Sequence, residues 1–505
     1  MLTLKNISIK TNKDRTLIRD LTMTIQSGDR LAVIGEEGNG KSTLCKLIAD
    51  RSLIDPSLSI GGTIEKDQLR IGYLPQTLSE TVLNASLSDF LIDQDADLTE
   101  IRRWMSLLNV TIPMERWDEV LSRFSGGERI KIQIVKLMAM DPDLLVLDEP
   151  TNDLDLSTLR WLERFILGTK QGVLFVSHDE TLLSHCANRI LHLEQTQRKT
   201  VPLWTLESLS YPAYLEKRQH GLQRQTMLSN KQKAEYEKQL EHWRQIYQKV
   251  EHAQNTISRS DPAGARLLKK KIKNLKAVRD RLDQQEKIKK PDPEEAITLF
   301  FDPREKVPTS KRLLEDDLEV LTIGSRILSE HLYLVVRGQD RIGIVGDNGC
   351  GKTTYLKHLI ALADHKGTKI GIMPQNYDSV LPSGQSPVDF LSQEKTKAEK
   401  TLIMTYLGNL KFTEEEMKQP IESCSQGQKA KILLTALVMG DHDLLILDEP
   451  TRNLSPLTLP VIENMLKQYH GAIVAVTHDR SFLKEVMTSV YEFGPEGLKP
   501  IDHPQ

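Results

Sequence analysis

The sequence predicts two α/β units separated by a long α-helical hairpin, and three observations carry that expectation. A glycine-rich loop preceded by a short apolar run occurs twice. Each loop is followed by a further apolar run ending in Asp-Glu. Between the copies lies a charged stretch poor in proline, with apolar residues at helical spacing. A chain of 505 residues is too long for one core at roughly 100–200 residues per domain, so about three units are expected. Hydrophobic residues at 39% and charged ones at 27% exclude a wholly disordered chain.

The duplication is explicit. Gly35-Glu-Glu-Gly-Asn-Gly-Lys-Ser-Thr43 recurs as Gly346-Asp-Asn-Gly-Cys-Gly-Lys-Thr-Thr354. Leu144-Leu-Val-Leu-Asp-Glu-Pro-Thr151 recurs as Leu444-Leu-Ile-Leu-Asp-Glu-Pro-Thr451, and Val176-Ser-His-Asp179 as Val476-Thr-His-Asp479. Asp148 and Asp448, His178 and His478, and Ser125 and Ser425 are each 300 residues apart, whereas Lys41 and Lys352 are 311 apart. The first copy therefore holds about 11 extra residues between its glycine-rich loop and Gln76, an excess the size of a loop rather than a domain. The runs ending at Gly35 and Gly346 read as buried strands feeding a turn and a helix. Leu144–Leu147, Val173–Val176 and their counterparts have the length and apolar continuity of strands inside a parallel sheet. The active loops are expected at the carboxyl ends of those strands.

The boundaries expected are 1–195 for the first unit, 196–316 for the linker and 317–505 for the second unit, with the hairpin over 211–290. Leu240, Trp243, Tyr247 and Val250 set one apolar seam, and Leu268, Ile272, Leu275 and Leu282 set its partner after a break at Pro262. Asp261-Pro262 is a good helix start, with an N-cap followed by proline at the first helical position, which puts the tip near residues 255–264.

Charge is distributed unevenly. Residues 211–290 carry 20 Lys and Arg against 9 Asp and Glu, a net of +11, so the rest of the chain carries −14 and the total of −3 conceals both. Such basic clustering is the electrostatic footprint of phosphate binding, although a charged helix pair can also be a solvated spacer. The four cysteines Cys45, Cys186, Cys350 and Cys424 show neither a disulfide framework nor a zinc spacing, which fits a reducing compartment. The N-terminus has no apolar signal core, and no run approaches the roughly 18 apolar residues that span a bilayer, so a membrane role would need another chain.

The glycine-rich loops carry the chemistry. In Gly-x-x-Gly-x-Gly-Lys-Ser/Thr the glycines let backbone N–H groups close round a β-phosphate at a helix N-terminus, which makes Gly35, Gly38, Gly40 and Gly346, Gly349, Gly351 candidates for nucleotide binding. Lys41 and Lys352 would reach the β- and γ-phosphates, with Thr43 and Thr354 beside them. Ser42 and Thr353 would ligate Mg²⁺, and Asp148 and Asp448 would orient it. Glu149 and Glu449 are suited to polarise the attacking water, and His178 and His478 to hold it in line with the γ-phosphate.

With these motifs in place the sequence resembles the ATP-binding-cassette superfamily, over both copies. Phe124-Ser125-Gly126-Gly127-Glu128 and Cys424-Ser425-Gln426-Gly427-Gln428 stand where that family has its Leu-Ser-Gly-Gly-Gln signature, and Gln76 and Gln375 stand where it has its Q-loops. The resemblance implies a head-to-tail sandwich with two ATP sites. Site one would pair Lys41 with Ser425, Gly427 and Gln428; site two would pair Lys352 with Ser125, Gly126, Gly127 and Glu128. Three departures stand out. Gln426 replaces the first signature glycine, Asn152-Asp-Leu-Asp155 becomes Arg452-Asn-Leu-Ser455, and neither Lys10–Lys13 nor Leu321–Gly324 supplies the usual aromatic for adenine. Unequal sites are expected.

Two complete cassettes on one chain, no spanning segment and a helical linker of 80 residues together resemble the ABC-F subfamily, ribosome-associated ATPases of translation or antibiotic resistance. That resemblance implies ATP with Mg²⁺, a cytoplasmic monomer closing on itself, and a ribosomal partner. It sets the hairpin near ribosomal RNA, the P-site tRNA and the peptidyl-transferase centre. Ser210-Tyr-Pro-Ala-Tyr214 resembles the start of the family's linker. Arg259, Arg266, Lys269, Lys270, Lys271 and Lys273 fall in its RNA-facing segment, where they would neutralise phosphates without reading sequence. No arm domain fits between Lys41 and Gln76, and no basic tail follows Tyr491, as in resistance members; the tip lacks a long extension. A tandem transporter ATPase with separate permease chains gives the hairpin no task. A DNA-associated ATPase of this superfamily usually carries its coil inside a cassette. Both remain secondary readings.

Overall fold

A computed structural model describes the chain except residues 13–14, 67, 93–96, 153, 197–200, 257–261, 284–306, 393–395 and 504–505. In the first copy the central sheet runs in the order Ile71–Leu74, Leu144–Asp148, Gly172–Val176, Arg30–Gly35, Arg189–Gln195, Val201–Glu207. The first five strands are parallel and the last is antiparallel. The second copy repeats the order with Ile370–Met373, Leu444–Asp448, Ala472–Val476, Arg341–Val345, Ser489–Gly494 and Gly497–Ile501. Leu144–Asp148 and Gly172–Val176 are buried at every position, as are Leu444–Asp448 and Ala472–Val476. Helices cover both faces of a parallel sheet, so an unbroken apolar run is what its inner strands require.

An antiparallel sheet lies against each central sheet. In the second copy it has two strands, Arg312–Ile323 and Arg326–Arg337. In the first copy it has three, Thr16–Ile25, Leu2–Lys10 and Ser59–Glu65. The extra residues of the first copy, expected to be a loop, thus include an edge strand. Its two isoleucines, Ile60 and Ile64, pack against the core that also holds Leu4, Ile9 and Val33. Gly61-Gly62 between them hides the alternation in the sequence. Gly62 has φ +90°, and a Cβ there would lie 2.5 Å from the Asn6 carbonyl oxygen, so the bulged pairing with Leu2–Lys10 depends on glycine.

The two copies form one compact body, Met1–Tyr211 with Glu295–Gln505, and Pro212–Glu294 form a second unit. The first sheet continues to Glu207, past the boundary expected at 195, because Val201–Glu207 zips onto Arg189–Gln195. The second copy starts earlier than 317, since Arg312–Ile323 is one continuous strand.

The second unit is a pair of helices, Tyr211–Thr256 and Pro262–Asp283. Proline opens the second, where its missing N–H costs nothing. Asp261 and Leu282, assigned to the cap and the seam, lie outside the described residues or side chains. Leu240, Trp243, Tyr247 and Val250 are the sheltered positions of the first helix over 240–250, and Leu268, Ile272 and Leu275 are sheltered on the second. Trp243 Nε1 donates to the Leu275 carbonyl at 2.7 Å, its ring stacks on Tyr247 at 4.9 Å, and the Arg279 guanidinium lies 5.5 Å from it.

Candidate active site

The phosphate loops are built by glycine. Gly35, Gly38 and Gly40 have φ of 147°, 72° and 89°, and Gly346, Gly349 and Gly351 have 155°, 77° and 118°. The helices Lys41–Ala49 and Lys352–His365 start directly behind them, so Thr43 and Thr354 sit in the first turns. Lys41 Nζ donates to the carbonyls of Gly35 (2.8 Å) and Glu36 (3.0 Å), and Lys352 Nζ to those of Gly346 (2.6 Å) and Asp347 (2.9 Å). Burial pulls the Lys41 ammonium below its usual range, against the field of Glu149 and Glu37.

Each hydroxyl behind the lysine meets the carboxylate that ends the neighbouring strand. Ser42 Oγ donates to Asp148 at 3.0 Å and Thr353 Oγ1 to Asp448 at 2.8 Å. Burial pushes Asp148 up to about 6 and also raises Asp448, the response of a carboxyl placed where a cation would relieve it. An oxygen-only hydroxyl and carboxylate pair suits Mg²⁺. Glu149 and Glu449 have left-handed backbones, φ 50° and 51°, which costs each about 1 kcal/mol and turns the carboxyl out of the strand end.

From here the copies diverge. Glu149 receives Gln76 Nε2 at 2.7 Å, Asn152 Nδ2 at 2.8 Å and His178 Nε2 at 3.2 Å. Burial alone would raise its pKa, but the His178 and Asn152 bonds and the Lys41 charge outweigh it and hold the carboxyl at about 2. The other nitrogen of His178 lies 2.6 Å from the Leu454 carbonyl of the second copy. The loop Arg452–Ser455 lost two carboxylates yet still reaches across, because it does so with its main chain. Glu449 has a weaker cage. The His478 N–H is 3.4 Å away and the ring nitrogen 3.8 Å, and burial lifts Glu449 to about 7 while dropping His478 to about 4.

The structure brings loops and signatures together across the copies. Ser425 Oγ donates to Glu37 Oε2 at 2.5 Å, and the Gly427 N–H donates to the same oxygen at 3.1 Å. Ser125, Gly126 and Glu128 share a cavity of about 970 Å³ with Gly349, Gly351, Lys352, Thr353, Thr354, Gln375, Asp448, Glu449 and His478. Gly127 is buried behind it, where a Cβ would lie 2.6 Å from Thr158 Oγ1. Glu128 and Gln428 close capping boxes on Ser125 and Ser425 and so brace the signatures from behind. Glu128 also pairs with Arg116 at 2.6 Å. Ile323, Arg326, Arg123 and Phe124 wall the same cavity. Sequence reasoning missed Glu37, Asn152 and the Leu454 carbonyl. Glu37 had a signal, a carboxylate inside a loop meant for phosphate.

Two phosphate loops, each facing the signature helix of the other copy, define a tandem nucleotide-hydrolysing cassette protein. The family described as ABC transporter matches residues 18–152 and 330–452, and the chain belongs to it. Within that family it is an ABC-F protein and an ATPase. It is 28% identical over 510 residues to the ribosome protection protein VmlR of Bacillus subtilis, covering 99% of this chain and 88% of that one. It is 27% identical over 540 residues to the energy-dependent translational throttle protein EttA of Haemophilus influenzae, covering 96% and 90%. The fold is shared with a solved structure of the RNase-L inhibitor at TM-score 0.60 and 16% identity, covering 98% of this chain and 90% of that one. No helix among the described residues is long and apolar enough to cross a membrane.

Of the six basic residues expected to face RNA, Arg266, Lys269, Lys270, Lys271 and Lys273 are exposed on the helix Pro262–Asp283. Arg259 lies outside the described residues.

Proposed function

We propose that ATP closes the two cassettes on each other, that the closed protein docks on the ribosome, and that hydrolysis releases it. The hairpin would then lie against ribosomal RNA near the P-site tRNA and the peptidyl-transferase region, in translation or in protection from an antibiotic. The cytoplasm is where this partner is found.

In each site Lys41 or Lys352 leaves its loop carbonyls for the β- and γ-phosphates. Ser42 with Asp148, and Thr353 with Asp448, hold Mg²⁺, which neutralises phosphate charge when bound. Glu149, kept ionised by its cage, accepts a hydrogen bond from water, and Gln76 and His178 fix the direction of that carboxylate. Glu449 would take the water at site two, where His478 and Gln375 line the same cavity without bonding its carboxylate as closely, and this weaker cage supports unequal rates.

One observation carries the ribosomal reading. Leu268, Ile272 and Leu275 turn into the helix seam while five cations between and before them stay in solvent, so the charge is free to meet phosphates. The relatives named for ribosome protection and translational throttling support it. Changing Glu149 and Glu449 together to Gln would leave ATP bound and uncleaved, and the variant is expected to co-sediment with ribosomes in ATP and to inhibit translation. Sedimentation free of ribosomes under those conditions refutes the reading.

A further inference from the structure

In the first phosphate loop two consecutive acids, Glu36 and Glu37, reach the second cassette. Glu36 pairs with Lys411 at 2.8 Å. Glu37 places one carboxylate oxygen against two donors at the N-terminus of the helix Gln426–Met439, the Ser425 hydroxyl and the Gly427 N–H. Gly427 is indispensable to the fit, since a Cβ there would run into the Glu37 carboxylate and the Asn453 carbonyl. In the proposed closed state these same two donors receive the γ-phosphate. They serve one anion at a time.

We propose that Glu37 is a built-in competitor for the γ-phosphate at site one: its carboxylate latches the second signature onto the first phosphate loop until ATP displaces it. The inference rests on the proposed pairing of site one and goes beyond it, because it assigns a residue that sets the ATP concentration at which that site closes. The second loop is the internal control. Asn348, a neutral side chain, stands at the position of Glu37, and its loop faces the first signature across the cavity of about 970 Å³. The latch thus belongs to site one, where the cassettes touch through it. Glu37 is not a catalytic residue; it acts through the donors it occupies.

A hydrogen bond from a neutral donor to a carboxylate is worth enough to change an equilibrium constant about tenfold. Glu37→Asn transplants the residue of the second loop, Glu37→Ala removes the acceptor, and Asn348→Glu installs the carboxylate in the other loop. Each is made in the full chain. A fluorescent ATP analogue reads affinity, and the background change Lys352→Ala or Lys41→Ala confines the reading to one site. Spin labels at Ser52→Cys and Lys418→Cys, on exposed positions of the two cassettes, read the distance without nucleotide. With Glu37→Asn or Glu37→Ala, site one is expected to bind the analogue about tenfold more tightly, and the nucleotide-free distance to lengthen or broaden. Asn348→Glu should weaken site two by a similar factor. Affinity within twofold of the parent, or an unchanged nucleotide-free distance, overturns the latch. If the parent itself binds no analogue at site one, the nucleotide reading of that site fails as well, an outcome separable from any result with ribosomes.

Discussion

Arg480 of the second cassette inserts its guanidinium between Glu163 and Asp179 of the first. Arg480 is 3% exposed and Glu163 11%, with Arg480 Nη2 bonded to Glu163 Oε1 and 3.6 Å from Asp179 Oδ2. Removing one member of a buried pair costs about 3–5 kcal/mol because the other charge is stranded, whereas replacing both by apolar groups is often neutral. Asp179 partly compensates in Glu163→Ala, which sets the expectation at about 3 kcal/mol. Unfolding entropy is about 2.1 cal/mol/K per residue, so that loss lowers the melting temperature by about 7 °C if a cassette of about 200 residues melts alone. It lowers it by about 4 °C if both melt together. The assay is calorimetry on Glu163→Ala, Arg480→Met and the double variant Glu163→Met with Arg480→Met. The double variant should melt near the parent. A single variant within 1 °C of the parent, or a double variant as low as the two singles summed, refutes the reasoning.

Three further outcomes follow from other parts of the chain. Asp179 and Glu180 of the first cassette face Glu463, Asp479 and Glu485 of the second, with Arg480 among them. Burial first, and then mutual repulsion, pushes Glu180 up to about 8, Glu463 to about 7 and Asp479 to about 6. Their folded values lie above the unfolded ones, so the folded state binds extra protons and its stability falls as pH rises through 6 to 8. The melting temperature should be higher at pH 6 than at pH 8, by the equivalent of on the order of 2 kcal/mol, and Glu180→Gln should flatten the profile. Trp243→Ala removes a ring that stacks on Tyr247 and bonds the Leu275 carbonyl, at a local cost of about 3 kcal/mol. Faster amide exchange confined to the two hairpin helices would show it, and unchanged protection there would not fit. Changing Lys269, Lys270, Lys271 and Lys273 together to Gln should weaken ribosome binding and lower the slope of log affinity against log salt by about 3. An unchanged slope removes these lysines from the RNA contact.

Much of this molecule was legible in one dimension because its chemistry is local. The phosphate loop needs glycines, a lysine and a hydroxyl in consecutive positions, and the carboxylate pair needs a strand end, so Lys41, Ser42, Asp148 and Glu149 announce themselves. The seams Leu240–Val250 and Leu268–Leu275 were legible for the same reason, since helical spacing is a property of nearby residues. Ser59–Glu65 was not, because two adjacent glycines interrupt its alternation and its identity as a strand comes from the partner Leu2–Lys10. Val201–Glu207 was missed likewise, being half exposed and made a strand by pairing with Arg189–Gln195.

The sequence by itself determined the duplicated α/β cassettes, the ATPase chemistry, and a basic helical hairpin, whose +11 is hidden in a total of −3. The sequence led one to expect unequal sites, but only the tertiary structure decided how they differ: Glu149 is caged by Gln76, Asn152 and a His178 anchored on the opposite Leu454 carbonyl, while Glu449 stands beside an open cavity. It alone showed Glu37 seated on Ser425, residues 388 positions apart. The physical reason is that a motif records which groups are present. Which of them satisfy one another is settled when two copies fold against each other and buried donors are brought to acceptors far away in sequence.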